Sequence, residues 1–214
     1  LASWAFDSAL WRLSEPAAKQ VCLTIDDGPT PDGTERLLEV LERHQVRATF
    51  FLVGRRAERW PGLVQAIAQA GHQIGNHSYF HGDAWRQPAE ATLEDFDRGA
   101  DVLADILGTP VDWVRPPYGH LTLPLIRWSR ALPQRLVMWD VVAPDYERGV
   151  SRGFIHRWLG RFTRPGSIVC LHDNSTSAAV TPRVLDQWIP RAQDAGFEFA
   201  LVPSSERAAP SRAA

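Results

Sequence analysis

Val21-Cys22-Leu23-Thr24-Ile25-Asp26-Asp27-Gly28-Pro29 is the stretch of this 214-residue chain that reveals most about its architecture. Val21–Ile25 is a short, mostly apolar run and a candidate strand. It runs straight into two carboxylates. Adjacent carboxylates leaving a buried strand repel one another and lose solvation, so they call for a cation or strong donors nearby. A second reading is local. Asp-Gly-Pro is good turn chemistry, and either Asp could cap the next helix. From this stretch alone both readings stand.

Working outward, similar runs recur at Ala48–Val53, Gln73–Gly75, Asp112–Val114, Leu136–Trp139, Ser167–Leu171 and Glu198–Val202. Between them lie amphipathic segments at Glu35–His44, Leu63–Ala70, Ala89–Leu107, Pro124–Ala131, Arg152–Arg161 and Val184–Ala195. In the longest, Leu93, Phe96, Ala100, Leu103 and Leu107 recur at helical spacing, and Gly108 follows as a stop. Strand–helix alternation predicts an α/β fold with a parallel sheet, barrel-like or doubly wound. Either form places chemistry just past the carboxyl ends of the strands.

Those ends are rich in reactive side chains. The third strand leads into His77-Ser78-Tyr79-Phe80-His81, two imidazoles at i and i+4. On one side of a helical turn they could share a metal, and with a carboxylate they would leave open positions, as catalytic sites do. In isolation such a pair is more often two unrelated histidines. Arg115-Pro116-Pro117-Tyr118 follows the fourth strand; its prolines fix the backbone, so Arg115 could pair with a carboxylate and a main-chain N–H could face an oxyanion. A rigid loop with a surface ion pair is the plainer account. The fifth strand ends in Trp139-Asp140, and the sixth in Leu171-His172-Asp173-Asn174, where His172 is a candidate acid or base. A helix-capping His-Asp pair is its duller competitor. Chance would scatter Asp, His, Arg, Asp and His over helix faces rather than place them at five strand ends.

Composition excludes several classes. A net charge of -2 gives no basic stripe for nucleic acid, and no apolar run is long enough to cross a bilayer. Cys22 and Cys170 sit inside apolar runs and read as buried free thiols. The nine tryptophans suit a core, a sugar-stacking cleft, or both. The chain begins at Leu1 rather than Met and reads as processed or trimmed, which leaves a removed leader or anchor open. Residues 1–19 read as an N-terminal segment, 20–203 as one domain and 204–214 as a frayed Ala/Ser/Pro tail.

The ordered set Thr24-Ile25-Asp26-Asp27-Gly28-Pro29, Ala48-Thr49-Phe50-Phe51-Leu52-Val53-Gly54, His77-Ser78-x-x-His81, Arg115-Pro116-Pro117-Tyr118 and Leu171-His172-Asp173 resembles the polysaccharide deacetylases with a NodB homology domain, carbohydrate esterase family 4. The resemblance spans roughly residues 20–202. It implies an irregular (β/α) barrel of about seven strands in a single domain, one divalent metal (zinc or a cobalt-like ion), and removal of acetyl groups from N-acetylglucosamine polymers or oligomers of the chitin or peptidoglycan type. It implies Asp27, His77 and His81 as metal ligands, Asp26 as general base and His172 as general acid. Arg115 resembles the residue holding the base, and the Tyr118 main chain the oxyanion donor. A cell-envelope or secreted location is implied too.

One motif departs. Where the family carries Asp-x-x-Asp-Trp, this chain has Val142-Ala143-Pro144-Asp145-Tyr146. Tuning of the acid histidine is assigned to the first Asp, hence lost to Val142, with Asp140 as its substitute on the same side of an extended strand. Two rival functions remain: an O-acetyl esterase or small-molecule amidase on the same site, and a sugar-binding protein with impaired catalysis.

Overall fold

The computed structural model of the protein describes residues 8–14, 19–132 and 134–203; the tail expected over 204–214 lies outside them. In chain order the elements are β1 (Ala9–Leu10), β2 (Gln20–Asp26), α1 (Gly33–Arg43), β3 (Thr49–Leu52), α2 (Gly54–Arg59), α3 (Pro61–Gln69), β4 (Gln73–Asn76), α4 (Ala89–Leu107), β5 (Trp113–Val114), α5 (Leu123–Ala131), β6 (Arg135–Val137), β7 (Val141–Val142), α6 (Arg152–Phe162), β8 (Ile168–His172), α7 (Thr181–Asp194) and β9 (Glu198–Ala200). All seven strands read from the sequence are present. β1 and β7, two residues each, and the six-residue α2 are additions to the elements read from the sequence.

The sheet runs β1-β6-β5-β4-β3-β2-β8-β7, with β9 beside the first residues of β2, and all these pairings are parallel. This order decides between the two architectures. In a flat sheet β6 and β7 would lie six strand spacings apart, roughly 29 Å. Yet β6 ends at Val137 and β7 starts at Val141, four Cα steps that reach no more than about 14 Å. The sheet must therefore curl until its edges approach, as a barrel does. Asp140 clamps that seam. Its carboxylate accepts from Ile168 N (2.9 Å) and Ser167 Oγ (3.0 Å) and pairs with Arg12 Nε at 3.1 Å.

Side-chain alternation then sorts core from site. On β2, Leu23 and Ile25 face outward into the large cluster under the helices, with Phe50 and Leu52 of β3 and Val169 and Leu171 of β8. The intervening Cys22, Phe51 and Ile168 fill the barrel interior with Trp113 and Val137. Thr24, Asp26, Cys170 and His172 share this inward phase, and β2 and β8 pair Asp26 directly with His172. One glycine sets how closely a helix approaches the site: a Cβ on Gly99 of α4 would lie 2.5 Å from Asn76 Oδ1 and 2.9 Å from the Ser78 main chain. The α4 backbone therefore lies directly against the segment carrying His77 and His81.

Candidate active site

Arg115 is the structural centre. Its side chain is fully buried between the faces of Phe51 (4.0 Å to the ring centroid) and Trp139 (5.4 Å). A buried guanidinium is tolerable only when its donors are occupied. Here Nε donates to Val137 O (3.0 Å), Nη2 to Met138 O (2.8 Å), and Nη1 to Thr24 Oγ1 (2.8 Å) and Asp26 Oδ1 (2.6 Å). An interior ion pair thus takes the place of a surface one. The other oxygen of Asp26 accepts from Cys170 Sγ at 3.3 Å and lies 3.9 Å from His77 Nε2. Burial and the neighbouring Asp26 push the Cys170 thiol pKa well up, so it stays protonated and can donate to Asp26.

Asp27, His77 and His81 converge: their ligand atoms lie within 4.8 Å of one another. His81 Nε2 is 2.9 Å and His77 Nε2 3.6 Å from Asp27 Oδ1. Burial would raise the Asp27 pKa, but hydrogen bonds and charge from the two histidines outweigh it and hold it far below the usual carboxylate range. The set fits a divalent cation. His77 Nδ1 makes a 2.7 Å hydrogen bond to Arg115 O, which fixes the ring and turns Nε2 to the site, the support typical of metal-ligating imidazoles. Asn174 Nδ2 donates to Asp27 Oδ2 (2.8 Å), leaving Oδ1 toward the histidines.

The two histidines do not share a helical turn. Beyond β4 the chain is irregular, with Ser78 and His81 at φ 60 and 62. Bonds from Tyr79 N to Asp95 O and Phe80 N to Asp95 Oδ1 tie the segment to α4, and Ser78 Oγ accepts from His81 N. Tertiary anchoring thus overrides the helical reading. Asp27, His81 and Tyr118 are three of the six non-glycine residues at positive φ among those described. Such conformations cost about 1–3 kcal/mol each and concentrate at working sites. Tyr118 lies in a short 3-10 turn, its ring 4.9 Å from that of His81.

His172 is held by Asp145. His172 Nδ1 lies 2.8 Å from Asp145 Oδ1, and the His172 main-chain N–H donates to Asp145 Oδ2, also 2.8 Å. Thr181 Oγ1 donates to the same Oδ2 at 2.6 Å. Burial alone would depress the His172 pKa; the hydrogen bond and charge of Asp145, joined by Asp26 and Asp27, overcome it and raise the value to about 8. This corrects the reading of the fourth motif. Asp140 does not substitute beside His172. It sits at the other end of β8, beside Ile168, four residues or about 13 Å away along the strand. Val142 pairs with Cys170, and its carbonyl accepts from Trp158 Nε1. The carboxylate beside His172 is the second Asp of the motif, which this chain retains. Tyr146 takes the place of the motif's aromatic residue, its ring 4.9 Å from that of His172.

Residues missed from sequence are the supporting ones: Asp145 on His172, Asn174 on Asp27, Cys170 on Asp26, and Arg56, whose Nη1 donates to Asp27 O at 2.8 Å. Cys170 is legible in sequence only as an apolar-run thiol; the β2–β8 register that aims it at Asp26 leaves no local trace.

A family model described as polysaccharide deacetylase matches residues 14–137. A peptidoglycan-N-acetylglucosamine deacetylase of Bacillus cereus is 32% identical over 94% of this chain and 74% of its own length. A chitooligosaccharide deacetylase of Bradyrhizobium sp. is 34% identical over 86% of this chain and 90% of its own. The crystal structure of the Bc1960 peptidoglycan N-acetylglucosamine deacetylase superposes with a TM-score of 0.89 at 30% identity, covering 94% of each chain.

Proposed function

The chain belongs to the polysaccharide deacetylase family, and on that premise we propose that it removes N-acetyl groups from β-linked N-acetylglucosamine chains of the peptidoglycan or chitin-oligomer type. The observation that carries the reading is the adjacency of two supported proton-handling pairs, Asp26–Arg115 and His172–Asp145, to the Asp27–His77–His81 cluster.

Asp27, His77 and His81 would hold one divalent ion; two imidazoles and a carboxylate with open positions suit Zn2+. Such an ion polarises a carbonyl and acidifies water. Asp26 takes the proton of the attacking water, its orientation fixed by Arg115 on one oxygen and Cys170 on the other. The Tyr118 main-chain N–H shares the charge developing on the acetyl oxygen. His172, its Nδ1 paired with Asp145, carries a proton at neutral pH and gives it from Nε2 to the departing amine, so acetate and a free amine leave with protons balanced. With Asp145 in place, the motif departure at Val142 gives no reason to read a catalytically impaired sugar binder. The substrate would lie in the cell envelope.

Acetate release from the N-acetylglucosamine hexamer and from peptidoglycan fragments, with and without added Zn2+, tests the reading against acetylated xylan. Metal-dependent release from the N-acetyl substrates is expected to exceed that from xylan. Faster release from xylan would reassign the site to O-acetyl esters.

A further inference from the structure

Trp85 is the most exposed large hydrophobic residue among those described, at 65%, yet its ring is fixed in place. One face stacks on His120, with centroids 3.8 Å apart and planes 2° from parallel. Its edge is tied down: Nε1 donates to Leu121 O at 3.1 Å, and its main-chain N–H donates to Asp83 Oδ1 at 2.9 Å. His120 is fixed in turn by a 2.6 Å contact between its Nδ1 and the same Asp83 oxygen. Two loops, one following His81 and one following Arg115-Pro116-Pro117, are thereby locked together through Asp83, Trp85, His120 and Leu121.

An isolated exposed tryptophan needs no explanation. This one is different because its edge and one face are occupied while most of its surface remains in water. A flat, immobilised ring with an open face offers van der Waals area with no further ordering cost, and suits the C–H face of a pyranose. Its position also matters. From Trp85 the aromatic surface continues through His120 to Tyr118 (5.6 Å between centroids) and from Tyr118 to His81 (4.9 Å). The ring stack and hydrogen bonds of Trp85 go to His120, Leu121 and Asp83 rather than to the metal-ligand or proton-handling residues, which places it beside a sugar further along the chain than the one losing its acetyl group.

We propose that the Trp85–His120 platform is a distal carbohydrate subsite that stacks a neighbouring N-acetylhexosamine unit, making the protein selective for longer chains. This rests on the carbohydrate reading of the active site. The aromatic path that joins the platform to His81 favours the substrate's own polymer as occupant over an unrelated partner.

The test compares wild type, Trp85→Ala and Trp85→Phe on N-acetylglucosamine oligomers of two to six units, metal-loaded. Trp85→Ala is expected to lower the ratio of kcat/KM for hexamer to that for dimer about tenfold, while Trp85→Phe keeps most of it. Loss of the loop lock alone would depress all lengths together and leave that ratio unchanged, which overturns the proposal. Calorimetric titration of the hexamer into the same variants in an Asp26→Asn background reads the subsite without turnover. There, about tenfold weaker binding by Trp85→Ala supports it, and equal or absent binding in both overturns it. Wild type that binds hexamer in a Trp85-dependent way but releases no acetate would sink the deacetylase reading and leave the subsite standing.

Discussion

Replacing Asp145 by Asn probes the acid arm without altering its shape. His172 sits at about 8, some 1.5 units above the ordinary 6.5, even though burial pulls the other way. Asn keeps an acceptor for Nδ1 but removes the negative charge and the second acceptor that now serves the His172 main chain and Thr181. With burial then dominant, His172 should titrate at or below 6.5. At pH 7.5 a group at 8 is about three-quarters protonated and one at 6.5 about one-tenth, so protonation alone removes roughly eightfold of acid function. The same shift acts on stability. A histidine raised in the folded state adds stability that is complete below about pH 6.5 and lost as pH rises through 8, about 2 kcal/mol by 1.36 kcal/mol per unit. The direct assay is NMR titration of His172 in metal-free wild type and Asp145→Asn. Kinetics at saturating metal should show the alkaline limb moving to lower pH. A variant whose His172 still titrates near 8 would refute the argument, because Asp145 would then not be what opposes burial.

Other perturbations separate the remaining roles. Asp26→Asn should keep bound metal and lose acetate release by at least ~10²-fold, as for a lost general base. Asp27→Asn should instead weaken metal affinity in a chelator competition; equal metal loss in both would reassign the base. Arg115→Lys retains charge but abandons the hydrogen bonds to Val137 O and Met138 O, so it should lower unfolding stability by about 3 kcal/mol as well as turnover. An unchanged urea midpoint would show that these bonds contribute nothing. Asp140→Asn should cost about 1–2 kcal/mol by loosening the barrel seam. The His172 titration should stay put, and movement of it would revive Asp140 as the tuning group.

The strands that stand out most clearly in the sequence are β2, β3 and β8, whose largely apolar runs suit a covered parallel sheet. Closure of the sheet is not legible there, since it depends on β1 and β7, two residues each, and on the Asp140 clamp, whose partners Arg12 and Ile168 lie far away in sequence. The chemistry can be read where it sits at the end of a long strand. It cannot where loops position it: the spacing of His77 and His81 suggests a helical turn because spacing alone does not register the pull of Asp95 on Tyr79 and Phe80.

The misplacement of the tuning carboxylate shows the same limit at one position. Periodicity along an extended strand puts Asp140 and Val142 on one side, and so makes Asp140 the natural substitute. That inference holds only while the chain stays extended and the reference point is known. β7 is two residues long, and the chain then enters a short 3-10 turn over Pro144–Tyr146, which brings Asp145 back toward His172. Proline at the start of that turn favours the helical dihedrals the return needs. Parallel register does the rest: Val142 pairs with Cys170, so the residues beyond Val142 lie beside those beyond Cys170, His172 among them. By the same register Asp140 can reach only the start of β8. A strand's carboxyl end therefore specifies where chemistry gathers, but the partner of each catalytic group is set by pairing between strands. Here that pairing gives His172 a carboxylate that the local pattern assigns elsewhere.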